Sequence, residues 1–320
     1  MEQAEKSQAS IDASTSGDKS PLQVASATRP PLTSPAPEPC PTCGALPATN
    51  GGVVPPAIDG GPAASPSYVY AIGTIEPKFP RLSVEKELAQ VKAQAETAGL
   101  TDRQALQKVL SERRNRYLAR QLCWVLTIEG LETYLLYPRD HSDWELLIEA
   151  VRAEPSPMDV DVVIGIRGPT APPELCNGLM IPIVTFDQLY SFDRNALIQA
   201  IPKPQQISAE AFAPAATELF DRIMQVADNA GGSDGARALN YLAVRYPAIY
   251  ANAAEAFGRN SSLSAVEPRP SRLSGTRKIV EVVFAYSNRN TDVTEKFFVR
   301  VDVSEEFPFL VTKLTPYFDR

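Results

Sequence analysis

Apolar and polar positions change period several times along this chain, and each change predicts an element. Residues 68–75, Tyr-Val-Tyr-Ala-Ile-Gly-Thr-Ile, are rich in β-branched and aromatic side chains and close on Glu76-Pro77, which predicts a strand. A helix opens after Ser83, with Glu85 and Glu87 in its first turn, and ends at Gly99. Thr101-Asp102-Arg103-Gln104 is a capping box, and Leu106, Val109, Leu110, Tyr117 and Leu118 continue it as one helix. Residues 122–128 and 132–137 predict a hairpin around Glu129-Gly130. Ser142-Asp143-Trp144-Glu145 is a second capping box, opening a helix over 146–152.

Residues 159–166 predict a strand followed by a loop carrying Pro169, Pro172 and Pro173. Another apolar stretch, 181–186, precedes a short helix over 194–201. Strands and helices mix here without strict βαβ alternation, so the fold class is α+β. Pro202-Lys203-Pro204-Gln205 marks a boundary between a first unit, 66–205, and a second, 206–320. In the second, Phe212, Ala216, Leu219, Ile223 and Val226 make an amphipathic helix that Asn229-Ala230-Gly231-Gly232 ends. Leu239, Leu242, Tyr246, Ile249, Ala253 and Phe257 form another stripe, with Pro247 as a kink or restart. Residues 260–275 read as a linker. Two alternating strands, 278–287 and 295–303, then form a hairpin around residues 288–291, with Phe297, Val299, Val301 and Val303 on one face.

Residues 1–65 lack such periodicity and are rich in Ser, Ala, Pro, Thr and Gly, the composition of a disordered arm. No apolar run reaches the ~18–20 residues that span a bilayer, and the first residues do not read as a secretory signal, so a cytoplasmic protein without a membrane role is expected. The formal charge of −7 and pI of about 5.0 argue against nucleic acid as the main partner. Arg113, Arg114, Arg116 and Arg120 form one basic cluster, read as a solvated helix face in preference to an anion patch.

Of four cysteines, Cys123 and Cys176 sit among apolar neighbours and read as core thiols. Cys40-Pro41-Thr42-Cys43-Gly44 has the spacing of half a zinc knuckle. Its second half is missing, and completing a zinc site at Cys40 and Cys43 would need Cys123 and Cys176 or a second chain.

Catalytic signatures are absent from the sequence. The sole histidine, His141, adjoins Ser142 and Asp143 at a helix entrance, where adjacent residues point to different sides and Ser142 is better used as a cap. No nucleophile elbow occurs. Gly165-Ile166-Arg167-Gly168 is followed by Pro169 and reads as a turn, not a phosphate loop. Asp159 and Asp161 share one strand face and read as solvated strand-end carboxylates in preference to a metal corner. Tyr134, Tyr137, Trp144, Phe186, Tyr190 and Phe192 exceed what half-exposed strands need and are candidates for lining a peptide groove, beside core packing. The edge of either hairpin is a second candidate for taking a peptide strand.

Several phrases carry a resemblance. Cys40-Pro41-Thr42-Cys43-Gly44, residues 68–77 (Tyr-Val-Tyr-Ala-Ile-Gly-Thr-Ile-Glu-Pro), 115–124 (Asn-Arg-Tyr-Leu-Ala-Arg-Gln-Leu-Cys-Trp), Pro270-Ser271-Arg272-Leu273-Ser274-Gly275 and the terminal 291–320 resemble the region that follows the protease in PatG-type cyanobactin maturation proteins. The resemblance implies a role in making ribosomally synthesised, post-translationally modified peptides. It assigns no catalytic residue, because the subtilisin-like domain that cuts and macrocyclises the precursor has no counterpart here. The expectation is a non-catalytic accessory protein binding a precursor peptide, a separately encoded subtilisin-like protease or a second copy of itself. The alternatives are an enzyme of unrecognised type, metal-dependent through Cys40 and Cys43, or a structural oligomerisation module.

Overall fold

Strands β1 (Ser67–Lys78), β2 (Cys123–Ile128), β3 (Leu131–Pro138), β4 (Asp159–Thr170) and β5 (Pro182–Asp193) close a barrel in the order β1-β2-β3-β5-β4 in a computed structural model. The structure describes residues 66–95, 97–203 and 207–318. Cys40, Cys43 and the predicted arm over 1–65 lie outside the described residues, as do Pro204 and Gln205 of the predicted boundary. All neighbouring barrel strands are antiparallel except β3 and β5, which run parallel where 135–138 face 183–186. β1 is shared: Ser67 to Gly73 pair with β4, and Thr74 to Lys78 pair with β2. The predicted hairpin is β2–β3, turning through Glu129 and Gly130, whose φ of 51° and 82° suit the primed turn that matches strand twist.

Side-chain alternation divides the barrel strands between two sets of neighbours. Val69, Ala71, Trp124, Leu126, Leu136 and Val163 join one core with helices α1 (Leu82–Gln94), α2 (Asp102–Ser111), α3 (Arg116–Gln121) and α4 (Trp144–Ala150). The opposite face is covered twice: Val125 and Leu135 lie under residues 171–181, and Tyr70, Ile72, Val162 and Ile164 lie under the helices that follow. Burial on both faces is why stretches such as 122–126 read as unbroken apolar runs. The Gly165 segment is therefore strand, not turn. The β4–β5 register shifts at Gly165, and a Cβ there would strike the Thr185 carbonyl and Phe186 Cα.

Thr101 caps α2 as its capping box predicts, with Gln104 bonded back. The single long helix predicted beyond it breaks, however. Asn115 is buried and donates through Nδ2 to the Val109 carbonyl, occupying a helix-end acceptor, and a short 3-10 turn leads into α3. The second capping box is also corrected: Asp140, not Ser142, accepts the Ser142 N–H at 2.8 Å and opens the turn into α4.

After α5 (Arg194–Ala200), helices α6 (Ala209–Val226), α7 (Asp234–Arg245) and α8 (Ala248–Gly258) pack on one face of a second sheet. Pro247 is the restart between α7 and α8, standing at the cap of α8. The sheet comprises β6 (Ser261–Pro270), β7 (Ile279–Asn288), β8 (Thr294–Asp302), β9 (Phe309–Leu310) and β10 (Thr315–Tyr317), in the order β10-β8-β7-β6 with β9 also on β8. The predicted linker over 260–275 is thus mostly a strand. Pro268 and Pro270 disguise it; as an edge strand, β6 has a side on which a missing N–H breaks no ladder bond.

The described residues share one compact unit, and hydrogen bonds join barrel to helices. Where β1 has left β2, Tyr70 N donates to Gly231 O at 3.2 Å and Ile72 N to Asn229 O at 2.9 Å. Asn240, fully buried, donates to Tyr70 O at 2.7 Å. The segment after α6 therefore substitutes for a missing strand. Gly231 permits it, because its φ is 61° and a Cβ would lie inside the Tyr70 backbone.

Candidate functional site

The sequence-derived candidates do not converge. His141 is exposed, and the Ser142 hydroxyl donates to Asp140 at 2.8 Å, so it is turned to carboxylates. Ser142 also lies first among the groups holding the Asp140 carboxyl below its usual range. Asp159 and Asp161 are not solvated strand ends. Arg152 bridges them, with Nε 3.2 Å from Asp159 and Nη2 3.1 Å from Asp161. Asp161 is fully buried and also accepts from Ile75 N at 2.7 Å and Ser191 Oγ at 2.6 Å. Burial pushes its carboxyl up, against the lowering by Ser191, Arg152 and Ile75. Arg152 is thus a clamp between α4, β4 and β5.

The aromatic candidates disperse. Tyr134 and Phe186 are buried, Tyr134 with its hydroxyl on Ala230 O at 3.0 Å, so neither presents a face to a ligand. Tyr137 and Trp144 meet edge to face with centroids 6.3 Å apart, while Tyr190 lies under Arg245. Phe192 packs with the buried Val162 cluster. In the basic cluster, Arg114 pairs with Glu112 and Arg116 with Glu145, and Arg113 and Arg120 are exposed. Cys123 and Cys176 are buried as expected but form a disulfide, with Cα atoms 6.0 Å apart, correcting their reading as free thiols. A thiol engaged in that bond cannot ligate, so the oxidised pair does not complete a zinc site with Cys40 and Cys43. No group of three or more His, Cys, Asp or Glu placed to hold a metal occurs among the described residues.

What the fold does assemble is a cleft at the end of β1. One part, about 510 Å³, has Pro77, Phe79, Leu88, Ala89, Leu106 and Leu122 as its apolar lining. An adjoining part, about 610 Å³, shares Pro77, Phe79 and Glu85 with the first and is walled by Cys176, Asn177, Gly178 and Leu179. The disulfide anchors that wall to β2. Two ion pairs brace the rim: Lys78 with Glu132, and Lys92 with Asp102 at 3.6 Å. Sequence reading missed this cleft because its lining comes from segments far apart in the chain: the end of β1, one face each of α1 and α2, Leu122, and residues 176–179. The local signal was the pair of prolines, Pro77 and Pro80, around a half-buried Phe79 just after a strand.

Barrel, helical layer and second sheet define an α+β fold; among its described residues no helix is long and apolar enough to cross a membrane. Residues 206–317 match the family model "PatG C-terminal". Among solved structures, one titled "PatG Domain of Unknown Function" superposes with a TM-score of 0.65 at 21% identity, over 78% of this chain and 98% of that one. At that identity the likeness establishes the shared fold alone. No curated protein matches the chain.

Proposed function

We propose that this chain is a non-catalytic recognition protein, cytoplasmic, that serves the maturation of ribosomally synthesised, cyanobactin-like peptides by holding an extended segment of a precursor peptide in the cleft at the end of β1. The observation that carries the reading is the two-part cleft itself: an open trough, apolar on the Leu88 and Leu106 side of Phe79 and more polar beyond it, where Lys78, Glu132 and Asn177 join the lining. Such a trough suits an extended chain, taking alternate side chains on its floor while charged rims set register. The family link supports the pathway. Recognition of a subtilisin-like protease is the second reading, favoured by the same resemblance.

Fluorescence anisotropy with labelled fragments of a cyanobactin-type precursor, and with a subtilisin-like maturation protease as competitor, tests it. The Ala89→Trp variant fills the trough from an exposed position without removing a core side chain. Saturable binding that Ala89→Trp weakens about tenfold, on the order of 1–2 kcal/mol, supports the reading. Binding indifferent to Ala89→Trp, or no binding of any fragment, removes the cleft from the function.

A further inference from the structure

Residues 171–181 leave the barrel at the end of β4 and return at the start of β5 as a flap with neither helix nor strand of its own. Thr170 pairs with Pro182, and Ala171 N donates to Ile181 O at 2.8 Å, so the two ends meet. Within the flap, Leu175 N donates to Pro172 O at 3.0 Å, Gly178 N to Pro173 O at 2.7 Å and Leu179 N to Cys176 O at 2.8 Å. Asn177 and Gly178, at φ of 46° and 87°, make the turn that follows Cys176. Each of these backbone bonds closes on the flap itself, the build of an Ω-loop.

Little else holds the flap on the barrel. The disulfide joins Cys176 to Cys123, the first residue of β2, and Cys123 Sγ lies 3.7 Å from Leu175 O. Among the described residues, no other hydrogen bond and no ion pair ties 172–180 to the rest of the chain. The remaining attachment is apolar: Ala171 and Cys176 are buried with Val125 and Leu135, and Leu175, Leu179 and Ile181 pack at the margin of that small cluster. The cluster is separate from the main barrel core of Trp124, Leu126 and Leu136, so lifting the flap leaves that core packed. Cys176, Asn177, Gly178 and Leu179 also wall the second part of the cleft. One covalent bond therefore fixes both the flap and the shape of that wall.

We propose that Cys123–Cys176 is a redox latch: oxidised, it fixes residues 171–181 as a wall of the cleft, and reduced by a dithiol, it frees the flap and opens that part of the cleft. The step is a two-electron exchange. One thiolate of the dithiol attacks a sulfur of the pair, the S–S bond breaks, and a mixed disulfide forms. The second thiolate of the dithiol displaces the protein sulfur; the dithiol leaves as a disulfide, and Cys123 and Cys176 each take up a proton as thiols. Both cysteines are buried, yet Cys176 belongs to the cleft wall, so the dithiol approaches from the cleft and not through the barrel core. The effect on binding rests on the reading of the cleft given above, as does the cytoplasmic setting in which disulfides serve as transient or redox-sensing bonds. Release of the flap itself does not depend on that reading.

The test compares the full chain before and after dithiothreitol by thiol counting, Trp fluorescence and hydrogen exchange. The pair should reduce in the folded protein, adding two titratable thiols while the Trp spectrum stays native. Exchange at Leu175, Gly178 and Leu179 should rise at least tenfold and should not change with low urea, the behaviour of a local opening. Cys123→Ala/Cys176→Ala should show the fast exchange without reductant and no further response to it. Labelled fragments of a cyanobactin-type precursor should bind the reduced protein at least fivefold more weakly. Faster flap exchange with no fragment bound in either state supports the latch and removes the cleft reading alone. Reduction only after unfolding, flap exchange that is unchanged or follows global unfolding, or equal fragment affinity in both states overturns the proposal.

Discussion

Replacing Arg152 by Met removes the counter-charge of a fully buried carboxylate while keeping much of the side-chain volume. Asp161 would retain only the Ile75 N–H and the Ser191 hydroxyl, at 2.7 and 2.6 Å. Breaking a buried pair from one side costs about 3–5 kcal/mol, because the remaining charge is left uncompensated. The Asp159 pair and the long bonds from Arg152 to the Val160 and Phe192 carbonyls, at 3.3 and 3.4 Å, add up to about 1 kcal/mol. Urea unfolding followed by Trp fluorescence, with Trp124 buried in the barrel core, reads the loss directly. The double variant Arg152→Met/Asp161→Asn leaves neither charge and should recover ~2 kcal/mol of it, a coupling expected of contacting residues.

The pH dependence carries its own sign. Burial raises the Asp161 carboxyl above its unfolded value, so the folded protein holds that proton more tightly than the unfolded chain. The stability this contributes is fully present below the unfolded value and is lost as pH rises through the raised folded value. Without Arg152 the carboxyl rises further, so the deficit of Arg152→Met should shrink on acidification through that window. A single variant within ~1 kcal/mol of wild type, or strictly additive variants, would refute the clamp.

Gly231→Ala should destabilise by ~2 kcal/mol or more in the same unfolding assay, since a Cβ meets the Tyr70 backbone and φ is positive; a neutral outcome would deny the strand-like docking of residues 229–231. Reducing the Cys123–Cys176 disulfide, which spans 53 residues, should cost about 4 kcal/mol by chain entropy, and Cys123→Ala/Cys176→Ala should show a similar loss; thiol titration of the native protein that counts both as free would remove the bond. Asn240→Leu should lose about 1–3 kcal/mol, because the Tyr70 carbonyl is left buried without that donor; native-state hydrogen exchange should then rise at Tyr70 and Ile72.

Much of the local structure was legible in sequence because it is specified locally. The Thr101 capping box, the Glu129-Gly130 turn and the stripe of Phe212, Ala216, Leu219 and Ile223 each encode their element within a few residues. The errors occurred where a distant partner overrides local preference. Asn115 breaks a helical pattern by taking a backbone carbonyl inward. Pro268 and Pro270 make a strand look like a linker, because their tolerance depends on β6 being an edge. The glycines at 165 and 168 resemble a turn until β5 is laid against them.

The sequence by itself therefore determined the α+β class, the positions of most helices and hairpins, and the kinship with the PatG region. Tertiary structure alone decided that the strands close into a barrel, that Cys123 meets Cys176, that Asp161 is buried against Arg152 and that Pro77, Phe79, Leu106 and Leu179 share one cleft. The reason is physical: capping, turn geometry and amphipathic period act over a few residues. Barrel closure, charge burial and a cleft are properties of pairings tens of residues apart, whose energies exist only once the chain has brought those segments together.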